Sequence, residues 1–122
     1  MTRPLVYVAG PITGDPWGCV RKATEAARAL ATDYRFDVYL PQLSVLHEMF
    51  DPQPYGWWIE HGLNMLSRCD GLIRLPGDSP GADREVEHAK KLGLPALSHH
   101  DDPKEWAHYV RAQYAYRMET DV

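Results

Sequence analysis

The chain has 122 residues, of which 44% are hydrophobic and 25% charged, with a formal net charge of −4. That length reads as one domain over residues 1–122, able to bury a core without staples, and the acid excess argues against a general nucleic-acid surface. The two cysteines, Cys19 and Cys69, form no disulfide or ligand pattern, which predicts a reducing, cytoplasmic setting.

The first apolar run, Leu5–Ala9 (LVYVA), does not alternate and reads as a fully buried strand. It stops at Gly10-Pro11 and is too short for a signal peptide or a membrane span. Gly10–Gly18 is a loop dense in Gly and Pro. Val20, Ala23, Ala27 and Leu30 recur at helical spacing, predicting a helix over Cys19–Asp33. Phe36–Leu40 is a second strand closed by Pro41, and Gln42–Gly56 reads as irregular. Trp57–Arg68 is helical, with Ile59, Leu63 and Leu66 on one face. Gly71–Leu75 is a third strand. A turn then enters a third helix at Ser79-Pro80, a preferred N-cap followed by proline, and Gly93 and Pro95 end it. Leu94–Ser98 is a fourth strand, and Lys104 to about Met118 a closing helix.

Alternating strands and helices imply parallel strands joined by right-handed crossovers. The expected fold is α/β: a flavodoxin-like (Rossmann-like) three-layer sandwich on a parallel sheet of four or five strands. Ligands of such sheets sit beyond the carboxyl ends of the strands, where strand order reverses. The Gly10–Gly18 and Pro76–Gly81 loops should line that crevice.

One residue breaks the pattern of the third helix. At about 100° per residue, Ala82, Val86, Ala89, Leu92 and Gly93 form one stripe, and Glu85 falls inside it. An unpaired buried carboxylate costs several kcal/mol or neutralises. Glu85 pairs with a basic neighbour, or sits at the edge of the stripe, or faces a ligand in the crevice. Ala82 and Ala89 beside it leave room for one.

Tyr7-Val8-Ala9-Gly10-Pro11, Cys69-Asp70 opening a strand, and Ser79-x-Gly81-x-x-x-Glu85 followed by Ala89 and Gly93-x-Pro95 resemble the nucleoside 2-deoxyribosyltransferase-like superfamily. That group contains base-exchanging transferases, hydrolases of nucleoside 5'-monophosphates, and small phage and bacterial proteins of unassigned function with the same spacing. The resemblance spans Leu5–Ser98. It implies that Glu85 is a nucleophile toward the anomeric carbon, with water or a second base completing the cycle. It implies that Tyr7 holds that carboxylate, and that Ala9, Gly10, Pro11 and Ile12 border the ligand. Ser79 matches a serine that contacts phosphate in the monophosphate hydrolases. A hydroxyl at a helix start suits a phosphate where an aspartate would repel it. Simple capping is the other role open to Ser79.

One position departs from the family. Its better-characterised members carry an Asp where this chain has Gly62, and His61 or Glu60 is then left to handle the departing base. Asp70 either binds ligand or caps the preceding helix turn. Trp58, with Trp57 and Tyr55, either stacks on a base or packs in the core or an interface. The resemblance further implies a small nucleotide or nucleoside ligand and a homo-oligomer.

Other motifs point elsewhere only in composition. Glu85-x-x-His88 and Glu105-x-x-His108 have di-iron spacing but lack a four-helix context. His99-His100-Asp101-Asp102 reads as a loop and helix start. Arg111 and Arg117 read as a solvated helix face. No G-x-G-x-x-G or P-loop occurs, so no dinucleotide cofactor is expected, and neither of the two motifs above is expected to hold a metal. Two functions remain: an N-glycosidase or deoxyribosyltransferase, or a non-catalytic nucleotide-binding module on the same fold.

Overall fold

The computed structural model describes residues 2–98 and 101–120. Its centre is a four-stranded, wholly parallel sheet in the order β2-β1-β3-β4, formed by β1 (Leu5–Ala9), β2 (Asp37–Tyr39), β3 (Gly71–Arg74) and β4 (Ala96–Leu97). Among the described residues, five α-helices surround it: α1 (Pro16–Tyr34), α2 (Ser44–Phe50), α3 (Tyr55–Leu66), α4 (Pro80–Lys91) and α5 (Pro103–Thr120). This is the flavodoxin-like arrangement expected from the strand–helix alternation.

The two-residue period of β1 sorts its side chains into two cores. Val6 and Val8 pack with Ala23 and Leu30 of α1, Phe36, and Trp106 and Val110 of α5. Tyr7 and Ala9 face the other way, onto Leu66 of α3 and Ala82 and Ala89 of α4. The helices therefore cover both faces, α1 and α5 on one, α3 and α4 on the other. All four buried residues of β1 are fully inaccessible, which is why the run reads as apolar without alternation.

Helix α1 begins three residues earlier than the periodicity predicts. Asp15 accepts a hydrogen bond from the Gly18 N–H at 3.1 Å and Pro16 follows it, an N-cap with proline at the first helical position. A side chain at Gly18 would collide with the capping Asp15 carboxylate. The segment read as irregular contains a 3₁₀ turn (Pro41–Leu43) and α2. At seven residues, α2 is too short to show a period and lies among turn-forming prolines. Helix α4 ends at Lys91, so Leu92, expected on the buried stripe, is exposed. Gly93 then adopts a φ of +76°, the left-handed stop that glycine adopts without strain.

No helix among the described residues is long and apolar enough to cross a membrane. His99 and His100, half of the His-His-Asp-Asp run, lie outside the described residues.

Candidate active site

The chain runs from β1 outward to β2 on one side, and β3 lies on the other side of β1. Strand order thus reverses between β1 and β3, and the loops leaving these two strands diverge there. A cavity of about 640 Å³ opens at this point. Gly10, Ile12 and Thr13 border it after β1, and Ser79, Pro80 and Gly81 after β3. Both glycine-rich loops therefore meet on one crevice.

Tyr7 and Glu85 form its floor. Tyr7 is fully buried in the middle of β1, and its hydroxyl donates a hydrogen bond to Glu85 Oε2. Glu85 sits on the inner side of α4 between Ala82 and Ala89, both buried. Burial pushes the Glu85 carboxyl up to about 7, against the opposing effects of the Tyr7 hydrogen bond and of Arg74 and Arg84. Burial, with the neighbouring Glu85 charge, holds the Tyr7 phenol well above its ordinary value. Tyr7 is thus a fixed donor, whereas Glu85 changes charge near neutrality.

Gly62 of α3 lies directly against this pair. A Cβ built there would stand 3.0 Å from Tyr7 Oη and 3.3 Å from Glu85 Oε2. Helix α3 can approach the two groups only because residue 62 has no side chain. An aspartate at this position would have to enter space these two groups occupy.

His61 borders the cavity one residue away. Its ring stacks on Trp57 with centroids 5.0 Å apart, and its Nε2 lies 3.3 Å from Tyr39 Oη. Tyr39 is the register partner of Tyr7 on β2, and their rings lie 5.4 Å apart. Burial, and secondarily Cys69 and Glu85, raises the Tyr39 phenol as well. Trp58 forms part of the wall, and its indole N–H donates to Glu48 Oε2.

Ser79 caps α4, its Oγ accepting the Ala82 N–H at 3.0 Å, and it also borders the cavity. Gly81 follows on the same rim. A Cβ there would meet nothing closer than Ser79 Oγ at 4.0 Å, so protein packing does not require glycine at this place. Gly10 differs: a Cβ would come within 3.1 Å of Leu75 Cβ and 3.4 Å of Gln42 Nε2. Its glycine is explained by packing, although the residue also borders the cavity.

Three expected ligand contacts are not brought to the cavity. Ala9 is fully buried, and its carbonyl accepts the Leu75 N–H at 2.8 Å. Pro11 turns toward Gly77, where an added Cβ would meet its ring at 2.8 Å. Asp70 stands at the amino end of β3, fully buried, with Arg117 donating to both its oxygens at 2.7 and 3.0 Å. It also accepts the Leu5 N–H at 2.8 Å. Asp70 neither reaches the cavity nor caps the preceding turn; it ties α5 to the sheet.

Tyr39, Glu48 and Arg84 border the cavity without having been singled out from sequence. The strand register pairs Tyr39 with Tyr7, and Arg84 adjoins Glu85. Glu48 lies in the segment read as irregular and gave no sequence signal.

A family model described as a domain of unknown function, DUF4406, matches residues 4–98. The chain belongs to this family. The match stops before α5, so the elements that build the DUF4406 cavity all fall within it. Among solved structures, the chain is similar to a 2-deoxyribosyltransferase from the psychrotolerant bacterium Bacillus psychrosaccharolyticus. The TM-score is 0.56 at 18% identity, over 77% of this chain and 70% of that one. At that identity the likeness shows a shared fold. No curated protein matches the chain in sequence.

Proposed function

We propose that this chain cleaves, or exchanges the base of, the N-glycosidic bond of a (deoxy)nucleoside 5'-monophosphate through a glycosyl ester on Glu85. The observation that carries this reading is the Glu85 carboxylate held by the Tyr7 hydroxyl on the floor of a cavity at the strand-order reversal. Tyr7 occupies Oε2, which leaves Oε1 to form a bond with the anomeric carbon. As that bond forms, the carbon–nitrogen bond breaks and its electron pair passes to the base. His61, oriented by Tyr39 and Trp57, supplies a proton to the leaving nitrogen. Water or a second base then attacks the same carbon and frees the carboxylate, and His61 accepts the attacker's proton.

Phosphate recognition falls to the start of α4. The Gly81 backbone N–H, the Ser79 hydroxyl and the Arg84 guanidinium on the cavity rim form an anion-favouring set. Gly81 gives a phosphate access to the backbone. A homo-oligomer belongs to the same reading, with the exposed Leu46, Met49 and Phe50 of α2 as an apolar surface near the cavity.

A second reading, a nucleotide-binding module without catalysis, is favoured by Gly62, which stands where the better-characterised deoxyribosyltransferase-like proteins carry an Asp. The two separate on one assay. The protein is incubated with deoxynucleoside 5'-monophosphates and free base is followed by chromatography. Release that is lost in Glu85→Ala supports the enzyme. Release that persists in Glu85→Ala refutes the nucleophile, and binding without release favours the module.

A further inference from the structure

The cavity lining contains a second glutamate that the proposed mechanism does not use. Glu48, on α2, borders the cavity and is half-buried. Its two hydrogen bonds, from the Trp58 indole N–H and from the Gln53 backbone N–H at 3.0 Å, both fall on Oε2. Oε1 accepts none among the described residues. The cavity lining also includes the aromatic rings of Trp58 and Tyr55 and the apolar side chains of Ile59 and Met49. A planar ring placed there stacks on aromatic faces, which discriminate poorly between bases. An acceptor-only carboxylate oxygen at the ring's edge discriminates strongly. It attracts N–H donors and repels the lone pairs of a carbonyl or ring nitrogen.

We infer that Glu48 is a specificity-determining residue that selects a base presenting adjacent N–H donors, as guanine does at N1 and N2. Trp58 and Gln53 act as positioning groups, because they hold Oε2 and thereby fix where Oε1 points. The inference rests on the nucleotide reading for the sugar and phosphate, but its test does not need a glycosidic bond.

The probes are 9-methylguanine and 9-methylhypoxanthine, which differ by the 2-amino group and cannot be cleaved. Their affinities are measured by titration calorimetry on the full chain. Wild-type protein should prefer 9-methylguanine by about tenfold, the order expected for a hydrogen bond to a charged acceptor. In Glu48→Gln that preference should vanish, because the amide can still accept from Trp58 while its NH₂ replaces an acceptor with a donor. Equal wild-type affinities, absence of binding by either probe, or an unchanged preference in Glu48→Gln each overturn the inference. The wild-type comparison decides the matter even if the variant does not fold. Base release from monophosphates without this preference would sink the role of Glu48 and leave the glycosyl-transfer reading intact. The preference without any base release would do the reverse.

Discussion

Tyr7 and Glu85, 78 residues apart in the chain, are joined by a hydrogen bond from the phenol of β1 to the carboxylate of α4. The bond crosses the sheet–helix interface at a place otherwise closed by alanines, Ala82 and Ala89. It opposes the burial that pushes Glu85 up to about 7. Removing it with Tyr7→Phe should raise the carboxyl further. Because the proposed nucleophile must be ionised, the acid limb of the pH–rate profile should move to higher pH, and turnover at pH 7 should fall about tenfold. An acid limb that stays in place would show that Tyr7 does not act on Glu85.

The raised carboxyl also has a stability consequence. Glu85 binds its proton more tightly folded than unfolded, so its favourable contribution is complete below about 4.5 and is lost as pH rises through about 7. Glu85→Gln mimics the protonated form and can still accept from Tyr7. Denaturant unfolding should find the variant and wild type alike near pH 4, with the variant more stable by on the order of 3 kcal/mol at pH 8. A constant difference across this range contradicts the assignment.

Gly62 offers a test of the close approach of α3. Alanine there gains about 1 kcal/mol of helix propensity but forces a methyl against Tyr7, which is fully buried and cannot withdraw. Overpacking of this kind costs about 1–3 kcal/mol, so Gly62→Ala should be net destabilising and should separate Tyr7 from Glu85. Gly62→Asp should do worse, since a second carboxylate raises Glu85 again. Thermal melts and base release check both; a stable, fully active Gly62→Asp would contradict the geometry.

Asp70 should behave as a structural residue. Asp70→Asn keeps an acceptor for the Leu5 N–H but removes the charge that Arg117 grips with two bonds. Breaking a buried pair costs about 3 kcal/mol or more, and the partly exposed Arg117 side chain places this case at the lower end. Denaturant midpoints should fall while kcat/KM, measured well below the melting temperature, stays within about twofold of wild type. A large loss in kcat/KM at unchanged stability would return Asp70 to the site.

The fold was legible because each of its signals is local. Strands buried on both faces read as continuous apolar runs, and Ser79-Pro80 and Gly93 bracket α4 within its own residues. Glu85 stood out because a charge on a helix's inner face violates a period. What stayed hidden depends on long-range placement. Tyr39 looks like any strand aromatic until the register sets it beside Tyr7. Asp70 looks like a turn cap because its real partner, Arg117, lies 47 residues further on. Helix α2, and Glu48 with it, shows no period over seven residues and is recognised only where it packs beside α3.

In the proposed reaction, Glu85 carries the sugar between bond breaking and product release. That step is tested most directly by rapid acid quench of the protein with a deoxynucleoside 5'-monophosphate, followed by peptide mass spectrometry. A transient mass increase of one deoxyribosyl phosphate should appear on the peptide containing Glu85 and be absent in Glu85→Ala. Base release with no adduct in wild type and undiminished in Glu85→Ala would contradict it.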